Sequence, residues 1–257
     1  MTGEITLSVA DGIAYVGLSN PGKRNAFTWT MYDQLERFAG ELSERDDVAA
    51  VVFRGTPEDG FAAGTDIRQF TDFQSGADGV DYERRVGAVL DAVATIPVPT
   101  IAAVELTAVG AGLALAASCD IVIAERGSRF GAPIARTVGN CLPAPVVRRL
   151  RDRMGPAHAD AMLLTARLVP AEELAPCGFL SLCEPGSLEQ TVAAVAQRIT
   201  GSAPLTVRAL KELGRRLDAS IEIPGDADLL AQCYGSADFA EGVTAFLEQR
   251  RPQWKGQ

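Results

Sequence analysis

Two short stretches of small residues, each directly behind an apolar run, constrain this chain most. The first is Phe61-Ala-Ala-Gly-Thr-Asp-Ile67, behind residues 48–53; the second is Val109-Gly-Ala-Gly112, behind residues 100–104. Segments with little or no side chain let backbone N–H groups come close to a ligand. Two such N–H groups converging on one oxygen form an oxyanion hole, which stabilises negative charge developing on a carbonyl. If the chain is an enzyme, its chemistry is expected to centre there.

The surrounding pattern is that of a parallel-rich α/β protein. Residues 4–9 and 13–18 alternate apolar and polar about Asp11-Gly12, which predicts a hairpin. Asn20-Pro-Gly-Lys-Arg-Asn25 is a loop carrying two cations. Thr28 can cap a helix running to about residue 44, with Met31, Leu35, Phe38 and Leu42 on its apolar face. Residues 48–53 form a nearly continuous apolar run, as in a strand buried on both faces. Helices are expected at 81–95 (Val86, Val89, Leu90, Val93) and 108–118, with a short one starting at Ile67. Strands are expected at 100–104 and 120–124, with an extended piece at Arg129-Phe130. The order strand, small-residue turn, helix, strand occurs twice, a repeated ββα-like unit. Residues 132–142 read as irregular. Helices follow from Pro143 to about 154, at 157–165 and at 170–174, then a strand at 179–183. From residue 187 the chain reads as all-helical, which divides it into a core of residues 1–186 and a helical region of residues 187–257.

With 257 residues, 47% of them hydrophobic, the chain can bury a real core. Its net charge of -9 argues against nucleic acid or an anionic membrane as partner, since both need clustered Lys and Arg. The longest apolar run is too short to span a bilayer, and the N-terminus has no basic-then-apolar leader. Five scattered cysteines and the lone His158 argue against a metal site and suit reduced thiols in a cytoplasmic protein.

At this point the residues match a known pattern. In order along the chain come Asn20-Pro and Asn25-Ala26, the 61–67 stretch, Pro99-Thr-Ile-Ala-Ala-Val104, Gly110-Ala-Gly112 with Cys119-Asp120-Ile121, and Phe130-Gly-Ala-Pro133. Glu241-Gly-Val-Thr-Ala-Phe246, Glu248-Gln-Arg250 and Pro-Gln-Trp-Lys-Gly256 close the series. Over nearly its whole length the chain resembles the enoyl-CoA hydratase/isomerase (crotonase) superfamily. The resemblance implies a spiral of ββα units and a C-terminal helical region that drives assembly into homotrimers or dimers of trimers. It implies an acyl-CoA thioester as ligand and no cofactor beyond the coenzyme A of the substrate. Matched by position, the two oxyanion N–H groups fall on Thr65 and Ala111. One such donor is typically worth about 3 kcal/mol in the transition state. The CoA and acyl contacts fall on Arg24, Ala26, Ala62, Asp66, Ile67 and Ile134. Gln249 stands where relatives often place a CoA-binding lysine.

The family's hydratases use two glutamates; the matching positions here are Ala114 and Ile134, so two-glutamate hydration is not expected. Asn140, Arg136 and Glu105 are candidates for the missing acid, base or orienting group. Asn140 and Arg136 are weighed equally against plain loop roles, and Glu105 against a capping or ion-pairing role. Cys141 and His158 are expected to be structural or surface residues. Of Asp81, Tyr82, Glu83, Arg84 and Arg85, most are expected to be solvated, with an inward-pointing member left open. An alternative is a non-catalytic acyl-CoA-binding or assembly subunit of the same fold.

Overall fold

The computed structural model describes residues 3–256. Met1 and Thr2, part of the stretch read above for a leader, lie outside them, as does Gln257. In chain order the elements are β1 (Glu4–Ala10), β2 (Ile13–Ser19), α1 (Trp29–Ser43), β3 (Ala50–Arg54), a 3-10 turn (Ile67–Phe70), α2 (Gly76–Ala94), β4 (Thr100–Val104), β5 (Thr107–Val109), α3 (Ala111–Ser118), β6 (Ile121–Glu125) and β7 (Arg129–Gly131). Then come α4 (Ile134–Thr137), α5 (Ala144–Met154), α6 (Pro156–Leu164), β8 (Val169–Pro170), α7 (Ala171–Leu174), β9 (Ser181–Cys183), α8 (Leu188–Thr200), α9 (Pro204–Ala219), α10 (Ala227–Tyr234) and α11 (Ala237–Leu247).

Six strands form one sheet in the order β1-β2-β3-β4-β6-β9. Only the β1–β2 hairpin is antiparallel; Ala10 faces Ile13 across the Asp11-Gly12 turn. The remaining pairs are parallel. A second, three-stranded sheet runs β5-β7-β8. The central strands are buried on both faces, so alternate residues enter different cores. Val51, Phe53, Ala102 and Val104 face the main core with α1, α2 and α3. Val52, Ile101, Ala103 and Ile123 face Leu188, Val192 and Ala196 of α8. The helices beyond residue 187 therefore share these cores: α8 covers the sheet, and Leu230, Tyr234, Phe239 and Val243 of α10 and α11 join the main cluster. The exception is α9, which buries none of its residues.

Three local expectations change. First, α2 begins at Gly76, a turn and a half before residue 81. The Asp78 carboxylate accepts the Ser75 N–H at 2.8 Å and starts the helix. Its first turns carry glycine because α10 lies directly on them. A Cβ on Gly76 would stand 2.0 Å from the Ala231 carbonyl oxygen, and one on Gly79 would stand 2.0 Å from Cγ of Tyr234. Second, the segment expected as one helix at 108–118 opens as β5, and α3 starts only at Ala111. Gly110, with φ +55°, makes the turn between them. Third, the irregular stretch at 132–142 contains α4.

Candidate active site

The two small-residue stretches meet. A Cβ on Gly110 would be 3.5 Å from Cα of Gly64, and one on Gly64 (φ +100°) would be 3.8 Å from the Ala111 nitrogen. Backbone contact is closer still at Gly112, where a Cβ would lie 2.2 Å from the Ala62 carbonyl oxygen. Neighbouring N–H groups are spent on the fold: Phe61 donates to Glu105, Ala62 to Thr107, Ala63 to Arg24 and Asp66 to Phe27. The Thr65 and Ala111 N–H groups have no acceptor among the described residues. For Ala111 the reason is its place in the first turn of α3, where no carbonyl lies one turn back. Both residues line a cavity of about 790 Å³, within the range of small-molecule sites.

The Thr65 side chain is held rigidly. Its hydroxyl is 2.7 Å from the Tyr32 hydroxyl and 2.6 Å from that of Tyr82. Burial pushes both phenols upward, so each stays protonated and available as a donor. Tyr82 comes from α2, and so does the neighbouring Glu83, which points inward and is only 7% exposed. One of its carboxyl oxygens accepts the hydroxyl hydrogen of Tyr234 from α10. The Tyr234 oxygen in turn accepts from the Asn140 amide at 2.9 Å, and the Asn140 carbonyl oxygen is buried without a partner. Phe70, Phe73 and Phe239 surround the two tyrosines, with ring centroids 4.9–6.3 Å apart. In this dry setting burial pushes the Glu83 carboxyl up to about 8, against the opposing pull of the Tyr234 hydrogen bond.

The structure gathers most of the residues expected from sequence and leaves others out. Arg24, Ala26, Asp66, Ile67, Ala114, Ile134, Asn140 and Gln249 line the cavity with Thr65 and Ala111. Ala62 does not: it is fully buried, its N–H and C=O are bonded to Thr107 and Val109, and Ala63 takes its place in the wall. Asp66 faces Arg68, which holds its carboxyl below the usual range, and caps the 3-10 turn through the Arg68 N–H at 3.1 Å. Arg136 points to solvent from α4 and is absent from the lining. Glu105 lies outside the cavity near Arg54, Glu125 and Glu58; burial raises its carboxyl, and one oxygen is buried without a partner. Cys141 is half-buried, its thiol pushed up to about 11 by burial, and His158 is exposed on α6. Among the described residues no cluster of His, Cys, Asp or Glu is arranged to hold a metal ion.

The residue that sequence reading did not single out is Glu83. A signal was present. Stepping back three and four places from the apolar Val86 lands on Glu83 and Tyr82, so both share the buried stripe of α2. At the mouth, Lys23 and Arg24 are exposed and have no ion-pair partner among the described residues. Their loop is pinned by the buried Asn25, which accepts from Asn20 N–H at 2.7 Å and donates to the Gly60 carbonyl at 2.7 Å.

A fold of parallel ββα turns, with two residues whose N–H groups lack internal acceptors among the described residues lining a largely apolar cavity, defines a class of proteins. The sequence profile of the enoyl-CoA hydratase/isomerase family matches residues 8–257, and the chain belongs to that family, with the crotonase fold. It is 28% identical over 243 residues to a short-chain-enoyl-CoA hydratase of Clostridium acetobutylicum, covering 93% of this chain and 92% of that protein. It is 30% identical over 254 residues to the human mitochondrial enoyl-CoA hydratase domain-containing protein 2, covering 95% and 86%. Among solved structures, an enoyl-CoA hydratase/carnithine racemase from Magnetospirillum magneticum superposes with a TM-score of 0.80 at 31% identity, covering 98% and 96%.

Proposed function

We propose that this protein is an acyl-CoA-processing enzyme that holds a thioester oxygen between the N–H groups of Thr65 and Ala111 and stabilises the enolate formed beside it. The observation that carries this reading is the pair of N–H groups without internal acceptors on one cavity wall. In a site lined largely by carbon such donors act at low dielectric and gain strength as charge develops on the oxygen. Arg24 and Lys23 at the mouth suit the phosphates of coenzyme A, and Ala26 and Ile67 lie beside them. Ala114 and Ile134 offer only alkyl surface where the family's hydratases place glutamates, which disfavours two-glutamate hydration.

The test uses 2,4-hexadienoyl-CoA, whose conjugated absorbance moves to the red when its thioester carbonyl is polarised. Titration is expected to show saturable binding with a red shift. Ala111→Pro replaces the N–H by a ring carbon, at a helix position that tolerates proline. It is expected to abolish the shift and cost about 100- to 1,000-fold in turnover. Binding with an unmoved spectrum overturns the reading.

A further inference from the structure

We infer that Glu83 is the acid/base residue of this site, and that it moves a proton between the α and γ carbons of an unsaturated acyl thioester without adding water. The inference rests on the thioester-binding reading above and names the reaction for it.

Among the described residues, two carboxyl groups line the cavity. That of Asp66 is spent on Arg68 and the 3-10 turn. Glu83 is the other, and its two oxygens are not equivalent. One accepts from Tyr234, whose oxygen already accepts from Asn140, so the run of donors fixes that oxygen as an acceptor. The second has no partner among the described residues and is the one left for a ligand. Helix α2 also presents Tyr82, which holds Thr65, so one rigid element places both the carboxyl and an oxyanion donor. The walls around it, Val86, Leu90, Ala114, Ile134, Leu142 and Val146, are hydrocarbon. The polar neighbour is Asn140, whose amide is spent on Tyr234 and whose carbonyl oxygen is buried away from the cavity. Among the described residues no group is then left to orient a nucleophilic water, and proton transfer is favoured over addition.

The step balances without a co-reactant. The Glu83 carboxylate takes a proton from the α carbon of a 3-enoyl thioester. The C–H electron pair flows into the carbonyl, and the dienolate oxygen rests on the Thr65 and Ala111 N–H groups. The carboxylic acid then returns the proton to the γ carbon, and the electrons re-form the carbonyl. The double bond has moved from the 3,4 to the 2,3 position, and Glu83 is a carboxylate again. Burial pushes this carboxyl up to about 8, so the proton-accepting form grows as pH rises towards that value. The titratable groups around it are Tyr234 and Asp226 at α10, Tyr82 on its own helix, Tyr32 on α1 and Cys141 ahead of α5. Tyr234 is a positioning residue.

The experiment follows 3-hexenoyl-CoA in D2O by proton NMR, reading conversion to 2-hexenoyl-CoA and deuterium uptake, beside the hexadienoyl-CoA titration. Wild type is expected to isomerise the probe, with a rate that rises to a plateau above about pH 8. Glu83→Gln is expected to lose about 100- to 10,000-fold while keeping the red-shifted complex, which also reports its folding. Tyr234→Phe is expected to lower turnover less than Glu83→Gln does and to move the midpoint to higher pH, since the carboxylate loses a donor. Absence of binding or of the red shift in wild type brings down the thioester reading itself. Normal binding and shift, with no isomerisation by wild type or with Glu83→Gln as fast as wild type, overturns this inference alone.

Discussion

Glu83 costs the fold something that a glutamine in its place would not. An ordinary glutamate loses its proton near 4.5, whereas the buried one holds it to about 8. Between those values the folded chain binds more protons than the unfolded chain, so raising the pH favours unfolding. The contribution is full below about 4.5, falls through the window, and is gone above about 8. Urea unfolding at a series of pH values is expected to show wild type losing stability across this window relative to Glu83→Gln. Parallel curves for the two proteins would contradict the neutral, buried carboxyl. At this scale the backbone half of the site was legible in the sequence, because Gly64, Gly110 and Gly112 carry its geometry in their residue type. The acid/base half was not. A glutamate in a stretch where four of the five residues 81–85 are charged looks solvated until the helix phase of Val86 and Leu90 is carried back through it. Ala62 and Ala63 show a finer limit: only the strand-like bridge of Ala62 to Ala108 decides which alanine lines the cavity.

Helix α2 is the element on which the site depends, and its contact with α10 is glycine against backbone. Gly76→Ala would drive a methyl into the Ala231 carbonyl, 2.0 Å away. It is expected to cost about 1–3 kcal/mol in thermal unfolding and to lower turnover more than stability, since Tyr234 moves with α10. Gly87, in the same helix, has nothing within 4 Å of a Cβ. Gly87→Ala is expected to stabilise by about 0.5–1 kcal/mol with turnover unchanged. The same contact explains why the start of α2 was hidden. Two glycines ahead of residue 81 read as loop, and only packing across the molecule turns them into a helix face. Strand β4, by contrast, matched its expected limits, because prolines bound one end and a continuous apolar run fills the rest.

Across the whole molecule, α9 stands apart. Leu205, Leu210, Leu213 and Leu217 are 54–81% exposed on it. It is tied to the sheet chiefly through Lys211, which donates to Val98 C=O at 2.9 Å and to Asp120 at 2.7 Å. A row of exposed leucines on one helix is the face that the expected homotrimer would cover. Leu213→Glu with Leu217→Glu is expected to convert a trimer into a monomer in sedimentation equilibrium, with the far-ultraviolet spectrum unchanged. A wild-type monomer would set the trimer aside. The bond between Glu83 and Tyr234 carries a further consequence at this scale, because it joins residues 151 positions apart. A growing chain completes β9 at Cys183, and with it the six-stranded sheet, well before Tyr234 exists. Until α10 docks, the carboxyl has no tyrosine and the aromatic wall is open. Docking of the late helices and capture of the acyl chain are then coupled steps. Ligand should slow amide exchange in α10 and α11 more than in the sheet, and a chain cut before residue 227 should keep its frame and Glu83 while losing turnover, since the tyrosine that positions that carboxyl is gone.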